Sequence, residues 1–186
     1  MTTSWRAAMA GDARKSASVL DPIARVSHTV RQSAVTPERR AGIDAPSAVR
    51  GDDPRIVETV AAAVERIAER LGGCEVACLL REGETLRHVA HRGRLPLIYA
   101  VPAALGGVAW RAARTAEAQV VPDVEQDREY LASDPSVRAE VAVPVVAEGA
   151  VVGVLDVEYV DGGPTDDDVA FLCAEAGRLA LELGRS

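Results

Sequence analysis

Residues 106–159 read GGVAWRAARTAEAQVVPDVEQDREYLASDPSVRAEVAVPVVAEGAVVGVLDVEY, and their pattern decides the fold. A helix that opens on two glycines is predicted to run to about Thr115, and a short strand follows it at Gln119–Val121. An acidic connection then extends from Asp123 to Pro135, with a helical turn predicted near 128–132. The stretch therefore predicts alternating short elements rather than one long helix or a repeat.

Two valine-rich strands end this stretch, at 139–146 and 151–160, and the sequence Ala-Glu-Gly-Ala between them favours a tight turn. The second strand is almost continuously apolar, which is typical of a central strand. Upstream, residues 75–81 and 85–91 flank a Glu-Gly turn and predict a second hairpin. An antiparallel sheet is therefore expected.

Amphipathic helices precede and follow the predicted sheet. Asp53-Pro54 is a favourable helix start before an apolar stripe at Ile56, Val60, Ala63, Ile67 and Leu71. Thr165 is expected to cap a last helix with the stripe Val169, Leu172, Ala176, Leu179 and Leu183. These elements predict an α+β fold in which the two terminal helices pack together on one face of a central antiparallel sheet.

The long stripes of the two helices also predict a homodimer through residues 54–71 and 165–183, as in a four-helix bundle. The alternative is that both stripes are buried within a single chain. Residues 1–51 are predicted to form a partly helical extension and linker, with an amphipathic helix over 22–33, and residues 53–186 form the domain.

Composition sets further bounds. Hydrophobic residues make up 48% of the chain and aromatic residues only 3%, so the core must be aliphatic. We expect no membrane attachment, because no apolar run approaches the roughly 20 residues of a spanning helix. Three cysteines in apolar surroundings fit a reducing compartment, and we expect a cytoplasmic protein without a signal peptide.

The charge is unevenly distributed along the chain. Residues 1–51 have a net charge of +4 and the remainder a net charge of −11. The acidic part is not expected to bind nucleic acid, since phosphate contacts need clustered cations. The basic segment is interpreted as a solvated tail, and the alternative is a docking segment for an acidic partner or for its own domain.

The order of these motifs resembles the GAF domain family. The resemblance covers about residues 53–183 and rests on Gly107-Val108, the strand through Pro122-Asp123-Val124, Glu140–Val145 and Val152–Val157. It implies a GAF-like fold with a small-molecule pocket between the helix at 106–115, the loop at 123–135 and the central strands. Members of the family act as sensory or dimerising modules in signal transduction and transcriptional control.

A catalytic branch of the family, the free methionine-(R)-sulfoxide reductases, is similar over the same stretch. The carboxylates of that pattern are kept here as Asp123 and Glu140, but Ala109 and Ser133 stand at its two cysteine positions. Reduction of a sulfoxide requires a thiolate nucleophile and a resolving thiol. We therefore expect no enzymatic activity and no catalytic residue, with a divergent reductase as the alternative.

Four residues are predicted to bind the ligand. Asp123 and Glu140 could accept hydrogen bonds from a cationic or amino-acid-like molecule, and Trp110 and Tyr130 could form aromatic walls. The alternatives are a loop cap for Asp123, a salt bridge to Arg138 or Arg128 for Glu140, and core packing for the two aromatic residues.

Two histidines complete the candidates. His88 and His91 are three residues apart in a predicted strand, so they should point to opposite faces. One could reach the pocket as a haem ligand or polar contact, although exposed or locally bonded histidines are favoured. Cys74 and Cys78 lack a second pair at zinc spacing, so no metal site is expected, and the sequence identifies no cofactor.

The function predicted from the sequence is a non-enzymatic sensory or regulatory module that binds a small molecule, mediates dimerisation, or does both. A regulatory protein partner is also expected, because no output domain is recognisable in the chain. The alternative to a sensor is an adaptor that docks a partner through the basic N-terminal extension.

Overall fold

A computed structural model describes residues 49–94 and 99–185, which form a six-stranded antiparallel sheet with helices on both faces. The sheet order is β3-β2-β1-β6-β5-β4, so β1 and β6 lie at its centre. The strands are β1 (Glu75–Glu82), β2 (Thr85–Arg92), β3 (Ala100–Pro102), β4 (Gln119–Val121), β5 (Ala139–Ala147) and β6 (Ala150–Tyr159). The predicted α+β architecture is confirmed.

The described residues contain three α-helices and two short 3-10 helices. The α-helices are α1 (Pro54–Leu71), α2 (Val108–Thr115) and α3 (Asp166–Leu183), and the 3-10 helices are Ala103–Leu105 and Val124–Gln126. The Asp53 carboxylate accepts a 2.9 Å hydrogen bond from the Arg55 amide at the start of α1. Thr165 and Asp168 form a reciprocal capping box at the start of α3, because each side chain bonds the other's backbone amide.

The turn between β5 and β6 follows from its sequence. Glu148 and Gly149 both have positive φ, 51° and 81°, as a type I′ hairpin turn requires. The helical turn predicted at 128–132 lies earlier in the chain, at Val124–Gln126. Its position is set by Asp123, whose carboxylate accepts a 3.0 Å hydrogen bond from the Glu125 amide.

Helices α1 and α3 cover one face of the sheet, where they bury an aliphatic core. Both predicted stripes contribute to this core, together with Cys78, Leu80, Leu155 and Val157 of the central strands. Arg66 of α1 and Glu175 of α3 form an ion pair of 3.0 Å, which links the helices directly. The stripes are thus buried within one chain, as the alternative interpretation expects, and the homodimer stays a prediction.

The opposite face of the sheet carries α2 and the loops that surround it. Its core contains Leu79, Leu86 and Val154 of the sheet, and Trp110 and Ala113 of α2. Gly153, at the centre of β6, lies against the β1 backbone, and a Cβ atom there would be 2.6 Å from the carbonyl oxygen of Leu79. This close approach brings the two central strands together.

Several predictions fall on residues outside the described ranges. The helix predicted over 22–33 lies there, as does all of the extension 1–51 except residues 49–51, so the proposed domain boundary stays a prediction. In the part of the chain that the structure describes, no helix combines the length and apolar character that crossing a membrane demands.

Candidate functional site

A cavity of about 70 Å³ lies on the sheet face that carries α2. On this scale one water molecule occupies about 10–15 Å³, so the cavity has room for several waters or one small ligand. Its floor is formed by β1, β2, β5 and β6, and its walls by the first turn of α2 and by Leu131 and Ser133 of the loop before β5.

Three acidic side chains of adjacent strands meet in this cavity. Glu140 of β5 is paired across the sheet with Glu158 of β6, and Asp156 lies two residues before Glu158 and therefore on the same face. Only 5% of Glu140 is exposed. We call Glu140, Asp156 and Glu158 the acidic cluster.

The acidic cluster retains protons at neutral pH. Burial, reinforced by the charge of Asp156, raises the pKa of Glu140 well above its usual range. Burial also raises the pKa of Asp156 to about 6 and, together with the charge of Asp156, that of Glu158 to about 7. Each of the three carboxyl groups is thus easier to protonate than a solvated one, and Glu140, which is almost fully buried beside Asp156, is affected most.

Ser133 and Tyr130 approach the cluster from the loop before β5. The Ser133 hydroxyl donates a 2.6 Å hydrogen bond to Glu158, which favours the ionised form of that carboxyl. Burial and the charges of Glu158 and Glu140 raise the pKa of Tyr130 to about 12, so its phenol stays neutral and available as a donor.

Glu75, at the start of β1, also lines the cavity. Its carboxylate accepts hydrogen bonds of 2.9 and 2.7 Å from the Arg94 amide and lies 3.2 Å from Nε2 of His91. A Cβ atom at Gly93 would lie 1.7 Å from Oε2 of Glu75, so a side chain at this position would displace the carboxylate.

The expectation that His88 and His91 point to opposite faces is wrong, because both line the cavity. The register between β1 and β2 shifts at this point: Cys78 pairs with Ala90, whereas Leu79 pairs with His88. Val89 is therefore the extra residue of a β-bulge, and a bulge re-aims the side chains that follow it.

His88 is a neutral group in the cavity wall. Burial, and to a smaller extent the charge of His91, lowers the pKa of His88 to about 4. Its buried Nδ1 atom has no hydrogen-bond partner within the described ranges, and the same is true of Oδ1 of Asp156. Both atoms can therefore bond a polar ligand.

The first turn of α2 forms the wall that favours negative charge. Gly107 occupies the N-cap position, makes no side-chain capping bond, and is followed by a first turn without acidic residues. Gly106, Gly107, Val108 and Ala109 line the cavity. The first amides of a helix lack intrahelical acceptors and carry partial positive charge, so this wall can bind an anionic group.

Of the four predicted ligand-binding residues, Glu140 lines the cavity. Trp110 is 1% exposed and donates a 2.8 Å hydrogen bond from Nε1 to the carbonyl oxygen of Val101, so it fills the core beneath α2. Asp123 is exposed and caps the 3-10 helix. Tyr130 is partly buried and interacts with the acidic cluster from outside the lining.

Sequence reasoning missed Asp156, Glu158, Ser133 and Glu75 as cavity residues. A signal for two of them was present, because Asp156 and Glu158 alternate within an otherwise apolar strand and must share a face. Ser133 was noted only as a replaced cysteine. Nothing local marks Glu75, whose role depends on contacts with Arg94 and His91.

The three cysteines lie on the helix side of the sheet, away from the cavity. Cys78 is part of the core beneath α1 and α3, and Cys74 and Cys173 pack against it. Burial raises the pKa of Cys78 to about 12 and that of Cys74 to about 11. Over residues 49–94 and 99–185, no group of three or more histidine, cysteine or acidic side chains is arranged to hold a metal ion.

Known proteins share this fold. A family model described as a GAF domain matches residues 55–181. Among curated proteins, free methionine-R-sulfoxide reductase of Saccharomyces cerevisiae is 38% identical over 56 residues, a segment that covers 30% of this chain and 31% of that enzyme. The chain therefore matches about a third of the length of that relative.

Solved structures extend the similarity over most of the described residues. The type II free methionine-R-sulfoxide reductase from Thermoplasma acidophilum superposes with a TM-score of 0.65 at 22% identity, covering 70% of this chain and 93% of that one. A protein from Burkholderia vietnamiensis that is described as a candidate GAF sensor gives a TM-score of 0.61 at 25% identity, with coverages of 73% and 89%. These likenesses show the fold.

Proposed function

The chain belongs to the GAF domain family, and from this premise we propose that it is a non-enzymatic regulatory module that binds a small zwitterionic molecule. The class of ligand we propose is a free amino acid or a close derivative. The observation that carries the proposal is the cavity itself, which has carboxyl groups on its floor and the start of α2, without a side-chain cap, in one wall.

The floor of the cavity and the wall formed by α2 are complementary to opposite charges. The acidic cluster can accept hydrogen bonds from an ammonium group, because charge-assisted bonds to carboxylates are strong. The amides of Val108 and Ala109 can receive a carboxylate at the N-terminus of α2. The names of the reductase relatives describe a free amino-acid derivative as their substrate, which is consistent with a ligand of this size and charge.

The absence of a cavity thiol within the described ranges supports a binding role over reduction. Ala109 and Ser133 occupy the positions that the resemblance assigns to cysteines, and both line the cavity. The buried Cys78 keeps its proton at neutral pH because its pKa is about 12, and a protonated thiol is a poor nucleophile.

Thermal unfolding in the presence of candidate ligands tests this function. A ligand that binds only the native state raises the melting temperature by mass action. At least one free amino acid should stabilise the protein in a screen that includes L-methionine and L-methionine-R-sulfoxide. The N-acetyl and amide derivatives of the stabilising compound should stabilise less, since each lacks one of the two charges. A flat response to every free amino acid would contradict the proposed ligand class.

A matched pair of variants ties the response to the cavity. Glu140→Gln should remove most of the ligand-induced shift, because an amide cannot ionise to offset the charge of the ammonium group. Glu125→Gln removes one charge from an exposed position outside the cavity, and it should respond as the wild type does. Equal responses from both variants would place the ligand elsewhere.

The similarity to reductases makes sulfoxide reduction the second candidate function. Turnover of free methionine-R-sulfoxide by the 186-residue chain, with dithiothreitol as the reductant, would test it. A variant with serine at Cys74, Cys78 and Cys173 separates enzyme-derived activity from background reduction. Activity that depends on these cysteines would overturn the non-enzymatic proposal.

We also propose a homodimer through the outer faces of α1 and α3, in a cytoplasmic protein that acts on a regulatory partner. Leu181 supports a further contact on α3, since 64% of it is exposed. Light scattering of the purified chain and of a Leu181→Glu variant would measure the mass. A monomeric wild-type protein would exclude dimerisation as part of the function.

A further inference from the structure

We propose, building on the proposed function, that this cavity exchanges a proton for the cationic group of its ligand. In the free protein the buried acidic cluster holds a proton. When an ammonium group enters the cavity, it takes the place of that proton, and the proton is released to solvent. The module would then respond to ligand and pH jointly.

The geometry of the acidic cluster requires a cation of some kind. Glu140, Asp156 and Glu158 share one face of two adjacent strands, and Glu140 is almost fully buried. Like charges held this close in a buried site disfavour one another's ionisation. Either a proton or a ligand cation must therefore offset part of the negative charge.

The groups that face the cluster from the other elements do not supply this cation. His88 of β2 is neutral at physiological pH, and His91 lies against Glu75 of β1. Ser133 donates to Glu158, while Tyr130 and Asp134 of the same loop add a neutral phenol and a further negative charge.

Arg111 of α2 is the cation whose charge acts on Glu140, but it is engaged elsewhere. Its guanidinium forms a two-pronged contact with Asp127, with Nη1–Oδ1 and Nη2–Oδ2 distances of 3.1 and 2.5 Å, and it lies 3.3 Å from Glu129. The cluster therefore keeps its proton in the free protein, and a small ammonium ion is the competitor that fits the same place.

Exchange has a thermodynamic consequence in both directions. If a bound cation lowers the proton affinity of the cluster, protons lower the affinity for the cation by the same factor. If one proton is released on binding, the dissociation constant of the cation should fall about tenfold for each unit by which the pH rises, as long as the cluster is still protonated. Above the range in which the cluster titrates, affinity should become independent of pH.

Carboxyl carbon NMR on protein labelled at aspartate and glutamate side chains tests the exchange. Methylammonium chloride serves as the probe, because it carries the cationic group alone, and sodium chloride at equal ionic strength is the control. At pH 6.5, methylammonium should move the signals of Glu140 and Asp156 toward their ionised positions and lower their apparent pKa, whereas sodium should not.

The variants distinguish exchange from a general charge effect. Glu140→Gln removes the titrating member of the pair and should abolish the methylammonium-dependent shift of Asp156. Glu125→Gln removes an exposed charge and should leave that shift unchanged. Retention of the full shift in Glu140→Gln would overturn the proposal.

The outcomes also separate this proposal from the ligand class proposed above. If a free amino acid stabilises the protein equally at pH 5.5 and pH 8 and methylammonium has no effect, proton exchange is rejected. The proposed ligand class would still be supported. A methylammonium effect without stabilisation by any free amino acid would support exchange and contradict the zwitterion. An affinity that falls as pH rises would show that protonated Glu140 is a donor to the ligand, and would reject exchange.

Discussion

The hydroxyl of Ser133 donates a 2.6 Å hydrogen bond to the carboxylate of Glu158. Through this contact the loop before β5 reaches a strand at the centre of the sheet. The bond stabilises the ionised carboxylate and so opposes burial, which is the main cause of the raised pKa of Glu158. A serine at this position therefore adjusts the charge of the cavity, whereas a cysteine there would supply a nucleophile.

The first prediction concerns this bond. Ser133→Ala should raise the pKa of Glu158 above its value of about 7, because the carboxylate loses a donor that favours its charged form. Carboxyl carbon NMR across pH 5 to 9 would measure it. Ser136→Ala removes a hydroxyl that bonds Asp134 in the same loop, and it is the matched control. An unchanged Glu158 titration in Ser133→Ala would show that the bond is absent in solution.

The second prediction is that stability falls as pH rises from 6.5 to 8. A carboxyl whose pKa is raised on folding binds more protons in the native state, so deprotonation destabilises that state. Glu158, with a pKa of about 7 against a usual 4.5, should alone account for a loss of about 1 kcal/mol over this range, and Glu140 should add to it. Urea unfolding at each pH would measure the difference.

His88 sets the lower limit of this pH window. Its pKa falls from 6.5 to about 4 on folding, so the native state binds fewer protons and stability rises with pH between these values. Below pH 6.5 the titration of His88 and that of the carboxyl groups change stability in opposite directions. Above pH 6.5 only the carboxyl groups contribute. Glu140→Gln should make the decline above pH 6.5 shallower without abolishing it, because Glu158 still titrates in this variant. An equally steep decline would show that Glu140 does not contribute.

The third prediction concerns the ion pair between Arg111 and Asp127, whose guanidinium and carboxylate are both largely buried. Arg111→Met should cost about 1–3 kcal/mol in the free energy of unfolding at pH 7, since Asp127 loses its charged donor and keeps only backbone amides. Arg111 also holds the pKa of Asp127 below its usual 3.8, so the pair stabilises the fold above that value and is lost as pH falls through the lowered pKa. The difference between variant and wild type should therefore shrink in strong acid.

Urea unfolding of a matched exposed variant provides the control for the ion pair. Arg114 lies on the same helix and is exposed, so Arg114→Met should change stability by less than about 0.5 kcal/mol. Similar losses in both variants would mean that general charge, rather than the contact with Asp127, produces the effect.

The fourth prediction uses two glycines in different surroundings. Gly153→Ala should destabilise the protein by about 1–3 kcal/mol, because the new methyl group would lie 2.6 Å from the Leu79 carbonyl oxygen and force β1 and β6 apart. Gly177→Ala should stabilise it by about 0.5–1 kcal/mol, because this exposed position of α3 has open space and alanine favours a helix. Melting curves of both variants would decide, and a tolerated Gly153→Ala would refute the tight strand packing.

Local sequence patterns were sufficient to predict most of the fold. The stripes of α1 and α3, their caps at Asp53 and Thr165, and the turn between β5 and β6 each depend on residues a few positions apart. Side-chain period and cap chemistry are properties of neighbouring residues, so they can be read before any tertiary contact is known.

The candidate site could be predicted only in part. The motif predicts Glu140, which lines the cavity. For Trp110 the sequence predicts a ligand contact with core packing as the alternative, and the structure buries its side chain in the core. A helix stripe shows that a large aromatic residue will be buried, and it does not show whether a cavity or the protein's own backbone lies beside it. The hydrogen bond from Trp110 to the carbonyl oxygen of Val101 depends on β3, a separate strand that lies before α2 in the chain.

The sequence by itself determined the elements, their order, the antiparallel α+β fold and the lack of cysteine at Ala109 and Ser133. Only the tertiary structure decided that the bulge at Val89 turns both histidines into the cavity, and that Glu140 meets Asp156 and Glu158 across two strands. The physical reason is that helices and turns form through contacts between near neighbours, whereas strand register and the protonation of buried groups depend on residues that folding brings together from distant parts of the chain.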